Sequence, residues 1–302
     1  MTASSSLFAP VRRRVVDSTT ALFAHAPFPL TDTLSYAPDA GLFGPESMTW
    51  PVMGDVATFI GGIRALLIQS AHPEVVAGVS DHSRYQDDPL GRLSRTSAYV
   101  TATAFGAMPE VQKAVDIVRR AHRPVRGQSH RDLKYSAAAP ELAAWVHNAL
   151  TDSFLAANQS FGARRLTTTE ADGFVAEQSR VGELLGAAPL PKTARELATW
   201  LEDHPAAGPS PGLAETVRFL RRPPLWLPVG AAYGVLFAAA AATISPQLRE
   251  IIGVRRRPGA ISFGQAAIRT LRWNLGSSPS WHLALVRTGA PIPDGLFHRT
   301  LV

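Results

Sequence analysis

Cysteine is absent from the 302 residues, and that one absence removes disulfides, thiolate nucleophiles, iron–sulfur clusters and zinc–cysteine sites together. It also excludes a covalently attached c-type haem, which needs a Cys-x-x-Cys-His stretch. Equally missing are a Gly-x-Ser-x-Gly elbow, a phosphate loop ending in Gly-Lys-Ser, and His-Glu-x-x-His. No Glu-x-x-His occurs, so a di-iron carboxylate bundle is poorly supported. Acids are the scarcer charge, 24 against 30 bases, for a formal charge of +6. The bases gather in knots at Arg12 to Arg14, Arg119 to Arg126, Arg221 to Arg222 and Arg255 to Arg257, without interleaved aromatics. Nucleic acid is therefore not an expected partner. The first residues, MTASSSLFAPVRRRVV, lack an apolar stretch after positive charge, so the cytoplasm is the expected compartment. Long apolar runs are also few. The one candidate, 225–244, sits at the lower limit of about 20 residues for a membrane span. Pro228, Gly230 and Gly234 interrupt it, which favours a buried helix and leaves a membrane surface as the less favoured partner.

What is present is helical periodicity with 46% apolar content, enough for a sizeable core. Residues 1–50 mix Ser, Pro and Gly around one expected helix, Pro10 to Ala24, and read as an arm wrapping the body. Residues 51–302 read as one structural unit of roughly ten helices, with strands hard to place. The expected fold is all-α: a single compact multi-helix domain. A helical pattern from Asp55 should stop at His72, because the residue before Pro73 is pushed out of helical dihedrals. A polar connector, 80–91, precedes a helix from Arg92 to Phe105. There Arg92, Thr96, Tyr99 and Thr103 share one face. Pro109 then opens a helix on which Val111, Val115, Val118 and His122 form one stripe. Pro140 starts a longer helix carrying His147 at the edge of its apolar stripe. Further helices are expected over 167–187, with a Thr-Thr-Thr-Glu capping box, over 192–203, and from Ser262 to Leu275.

The chemistry concentrates between Gly61 and Gly127, where three of the nine histidines sit among arginines and apolar helices. A buried imidazole without a partner costs about 2–7 kcal/mol, so something must satisfy it. For an isolated His122 a hydrogen bond to a carbonyl suffices. Non-covalent haem would account for more, since one imidazole can hold the iron while arginines pair with the propionates. His147 has Trp145 and Phe154 as packing neighbours, and His82 reads as a residue that ties a loop.

The runs LLIQSAHPEVVAGVSDHSRYQDDPLGRLSRT, AHRPVRG and AAWVH resemble the catalytic domain shared by latex-clearing protein (rubber oxygenase) and the MpaB-type oxygenases. DAGLFGPESMTW and LWLPVGAAYGVL are similar as well, so the likeness covers most of residues 40–255. The resemblance implies a globin-like core with extra helices holding haem b, its iron and dioxygen acting on an apolar, lipid- or isoprenoid-like substrate, with an electron donor as a further candidate partner. His122 matches the proximal iron ligand, and Arg92 and Thr96 match an Arg-x-x-x-Thr helix beside the haem. Arg95 stands where the family has lysine, and His72 near the position of a family glutamate. On this basis Arg119, Arg126 and His147 are expected around the cofactor, with His72 or Arg95 facing dioxygen. The alternative is a non-catalytic haem-binding or haem-sensing protein, both axial positions filled by His122 and either His72 or His147.

Overall fold

The computed structural model describes residues 9–83, 87–299 and 301. In chain order it forms α1 (Ala9–Phe23), a short 3-10 turn (Thr33–Tyr36), α2 (Thr49–Gly54), α3 (Thr58–Gln69), α4 (Pro73–His82), α5 (Pro89–Phe105) and α6 (Met108–His122). A small hairpin, β1 (Arg126–Gln128) and β2 (Lys134–Ser136), follows, antiparallel with Gly127 opposite Tyr135. Then come α7 (Pro140–Phe161), α8 (Thr168–Leu184), α9 (Ala194–Glu202), α10 (Pro211–Arg221), α11 (Leu227–Thr243), α12 (Pro246–Ile252), α13 (Ala260–Leu275) and α14 (Pro279–Thr288). The fold is all-α, with this hairpin as the sole sheet among the described residues.

Local chemistry sets most of these boundaries. Proline occupies the first turn of α4, α5, α6, α7, α10, α11, α12 and α14, where its missing N–H leaves no bond unmade. His72 takes extended dihedrals (φ −101°, ψ 114°) and separates α3 from α4. The connector expected over 80–91 is shorter, since α4 runs through His82 and α5 begins at Pro89; its residues 84–86 lie outside the described residues. Asp88 caps α5 by accepting from Gly91 N at 3.0 Å, and Thr167 with Glu170 forms the capping box of α8. Two features differ from the sequence pattern. The hairpin arises where Pro124 stops α6, and α14 forms in a tail that reads as irregular, with Ser278 accepting from Ser280 N at 3.3 Å ahead of Pro279.

The core is built on α3 against α7, the most extensive helix pair. Ile60, Leu67, Ile68, Trp145 and Phe174 are fully buried there and nearby. Burying such side chains supplies about 1.5–3 kcal/mol each. Gly61 lets the helices approach, because a Cβ there would stand 2.7 Å from Phe154 Cδ1. Charged groups inside this core are paired. Arg64 Nη1 donates to Asp152 Oδ2 at 2.5 Å and to Ser153 Oγ at 2.9 Å, joining α3 to α7. Arg272 of α13 grips Asp55 through Nε at 3.0 Å and Nη2 at 2.8 Å, and also donates to Phe161 O at 2.9 Å. Helix α11 is buried over only its second half, Phe237 and Ala239 to Ala242, against α3 and α13. Among the described residues no helix is long and apolar enough to cross a membrane.

Candidate functional site

Helix α7 separates two polar clusters. Trp145 and His147 are two residues apart, so their side chains leave the helix about 200° from each other. The wall follows from the sequence: apolar residues dominate α7, and the two polar rings fall on different faces.

On the His147 side a small cavity lies between α5 and α7, lined by Tyr99, Val100 and Thr103 on one wall and His147, Leu150 and Phe154 on the other. Its volume is about 20 Å³, room for a single water. Burial pushes the His147 imidazole down to about 4, only partly offset by a hydrogen bond with the Gln178 backbone. The ring is therefore neutral at pH 7, and its Nε2 lies 3.4 Å from Thr151 Oγ1. Gly182 makes space for it, since a Cβ there would stand 2.8 Å from His147 Cδ2. Across the cavity the Tyr99 hydroxyl is buried without a partner, and burial raises its pKa. It is a neutral donor in need of an acceptor.

On the Trp145 side, His72 packs with its ring 5.4 Å from Trp145 and 5.6 Å from His204. Trp200 completes the group, 4.6 Å from His204. His72 Nδ1 lies 3.2 Å from Glu74 Oε2 but off the line of a hydrogen bond, which leaves it unpartnered. Glu74 is held instead by Ser129 Oγ at 2.6 Å and by Arg131, Nη2 at 2.5 Å and Nε at 3.2 Å. Burial alone would raise the Glu74 pKa, but these bonds outweigh it and hold the carboxylate ionised. Burial likewise lowers His72 to about 4, against the opposing pull of Glu74. Ala206 N donates to His204 Nδ1 at 3.3 Å, which places the neutral ring's proton on Nε2.

His122 is the last residue of α6 and is half-buried, where its stripe, fully buried at Val111 and Val115, runs out toward solvent. Burial still lowers its pKa, so it too is a neutral imidazole at pH 7. Arg119 and Arg126 are exposed and, among the described residues, form no ion pair. Arg126 Nη2 donates to Arg123 O at 2.7 Å, and its own carbonyl accepts from His82 Nε2 at 3.1 Å, so His82 ties α4 to the hairpin. Arg95 is exposed and pairs with Asp88 at 3.1 Å, next to exposed Thr96. Arg92 is half-buried. The face Arg92–Thr96–Tyr99–Thr103 thus runs from the surface into the His147 cavity. His72 is not on that path. The sequence pattern missed the Tyr99 hydroxyl, His204, Trp200 and the Glu74–Arg131 pair. Tyr99 could have been found from its place on the Arg92 face, whereas His204 had no signal beyond an Asp-His-Pro turn.

Residues 50–273 match the family described as ER-bound oxygenase mpaB/B'/rubber oxygenase, catalytic domain. This chain belongs to that family. The matched span holds every candidate above, from His72 to His147 and His204, and the family is one of oxygenase catalytic domains. No curated protein and no solved structure matches the chain.

Proposed function

We propose that this protein is a haem b-dependent oxygenase that uses dioxygen on an apolar, lipid- or isoprenoid-like substrate. The observation that carries the proposal is the family match over 50–273, which includes a neutral, half-buried imidazole at His122 with unpaired arginines beside it. Among the described residues no group of three His, Asp or Glu is placed to hold a bare metal ion. Haem brings its own ring nitrogens and asks the protein for one neutral imidazole and cations for its propionates, and that donor set is here. When bound, haem iron supplies the redox chemistry toward dioxygen.

The chain's own residues have defined tasks in this scheme. His122 would hold the iron, and Arg119 and Arg126 would pair with the propionates. Arg92, Thr96 and Tyr99 offer donors along one face of α5, the Tyr99 hydroxyl already desolvated and without an acceptor. His147 faces the same cavity as a neutral ring. Arg95 is engaged by Asp88 and His72 belongs to the Glu74 cluster, which makes both weaker choices for the dioxygen side than the sequence pattern suggests. A globin-like arrangement of helices around the cofactor is part of this proposal, as is a cytoplasmic location.

Two further buried, neutral imidazoles, His72 and His147, favour a second function: a non-catalytic haem-binding protein in which His122 and one of them would both ligate. The visible spectrum of protein expressed with ample haem tests both. One haem per chain, lost in His122→Ala and retained in His72→Ala, is the expected result, with a spectral change on adding carbon monoxide. A colourless folded protein, or a full haem complement in His122→Ala, refutes the proposal. A spectrum indifferent to carbon monoxide selects the non-catalytic function.

A further inference from the structure

The corner between α10 and α11 reads RFLRRPPLWLPVG, and no acid occurs between Glu215 and Glu250. Trp226 is 62% exposed and Leu227 89%, the latter the most exposed of the large apolar side chains among the described residues. They stand together where α11 begins, Trp226 as its N-cap, with exposed Pro228 behind them. Arg218, Arg221 and Arg222, all exposed, lie just before them at the end of α10. The corner is also fixed. Tyr233 Oη of α11 donates to Leu220 O of α10 at 2.7 Å, and the Arg221 guanidinium lies over the Phe237 ring, 5.8 Å from its centre. Pro223 and Pro224 restrict the chain between the two helices.

A solvent-facing Trp-Leu pair held beside three arginines, with no carboxylate in the same stretch, is complementary to a surface that is apolar below and anionic above. Tryptophan suits the boundary between headgroup and acyl chain, and arginine stems lie along apolar surface while their heads reach phosphate. A second copy of this chain is a poor occupant, because a symmetric contact would bring arginines onto arginines. We propose that the α10–α11 corner docks on an anionic phospholipid bilayer, Trp226 and Leu227 entering the acyl boundary while Arg218, Arg221 and Arg222 pair with headgroup phosphates. The corner docks without crossing, and this docking is independent of whether haem is bound.

The test is co-sedimentation of the full chain with vesicles of phosphatidylcholine alone or with about one quarter phosphatidylserine. Binding to the anionic vesicles that weakens with salt is expected. Each arginine near the surface accounts for about fivefold in partitioning, so Arg218→Ser with Arg222→Ser lowers it about 30-fold. Trp226→Ser with Leu227→Ser lowers it at least about tenfold. Both double variants replace solvent-facing side chains, and melting curves matching the parent confirm their folding. No sedimentation with anionic vesicles overturns the proposal, as does binding left undiminished by both double variants. Equal binding to neutral vesicles overturns it too. If light scattering shows a dimer that Trp226→Ser with Leu227→Ser turns into a monomer while vesicle binding is unchanged, the corner is a self-interface and the proposal is wrong.

Discussion

Acid should destabilise this protein well before its carboxylates are titrated, because two buried histidines are neutral in the fold. His72 and His147 are both lowered from 6.5 to about 4 by burial. As pH falls below 6.5 the unfolded chain takes up protons that the folded chain refuses until near pH 4. The stability these residues contribute is fully present above 6.5 and is lost between there and 4. At about pH 5 each costs about 2 kcal/mol, and the pair about 4 kcal/mol, at 1.36 kcal/mol per unit. His122 and His204, also lowered by burial, act in the same direction. Glu74 is held below its ordinary 4.5, so its contribution persists through this window and is lost only at lower pH. For a chain of this length the entropy of unfolding is about 0.6 kcal/mol/K, so Tm drops by at least about 6 °C between about pH 7.5 and 5. Thermal melts followed by far-UV circular dichroism measure it. In His147→Gln the drop should shrink by about 3 °C, whatever the variant's own stability. A Tm at pH 5 equal to that at 7.5, or a drop unchanged in His147→Gln, would show that these rings are not buried as described.

Two further perturbations probe the frame around the site. Removing the Asp55 carboxylate strands Arg272 and frees Ala57 N, which donates to it at 2.7 Å. Breaking such a buried pair costs about 3–5 kcal/mol, so Asp55→Ala should lower Tm by about 5–8 °C. Glu183→Gln, which removes only the exposed contact to Lys192 at 3.1 Å, should leave Tm where it is, and equal shifts in the two variants would refute the distinction. The adjacent glycines of α3 should respond with opposite sign. At Gly62 a Cβ would meet nothing within 4 Å, and Gly62→Ala should stabilise by up to about 1 kcal/mol through helix propensity. Gly61→Ala overpacks Phe154 at a cost of about 1–3 kcal/mol and should lower Tm in the same melts, while a stabilised Gly61→Ala would mean that α3 and α7 do not meet there.

Proline, caps and helical period make most of the fold legible in the chain itself. Pro73, Pro109 and Pro140 mark helix starts because proline is at ease only in a first turn, and the Thr167 box marks another. The same period shows that His122 continues the Val111–Val115–Val118 stripe. It gives direction without depth: the stripe reaches the surface at the helix end, so His122 is half-buried while Val111 is fully buried. Arg95 is legible as a departure from the family pattern, but its partner Asp88 lies two helical turns away in what reads only as a polar connector. The Glu74–Arg131 pair and His204 are out of reach for a different reason. Their partners come from α4, the hairpin and the end of α9, and only tertiary packing decides which of many scattered polar residues meet.

The division of the site by α7 bears directly on which histidine can act with His122. His72 and His147 each satisfy the requirement of a neutral, buried imidazole, and sequence alone offers no reason to separate them. A helix turns about 100° per residue, so Trp145, which packs with His72, and His147 face opposite sides of α7, and one ligand cannot engage both rings from a single face. His147 shares its cavity with Tyr99, on the face of α5 that also carries Arg92 and Thr96. His72 shares its surroundings with a carboxylate already committed to Arg131 and Ser129. Under the proposed function His147, beside the Tyr99 hydroxyl, is the candidate ring for the chemistry, and His72 belongs to the scaffold behind it. Retention of haem in both His147→Ala and His72→Ala, with the carbon monoxide response altered only in His147→Ala, would agree with that division, and a response altered only in His72→Ala would place the chemistry on the other face of α7.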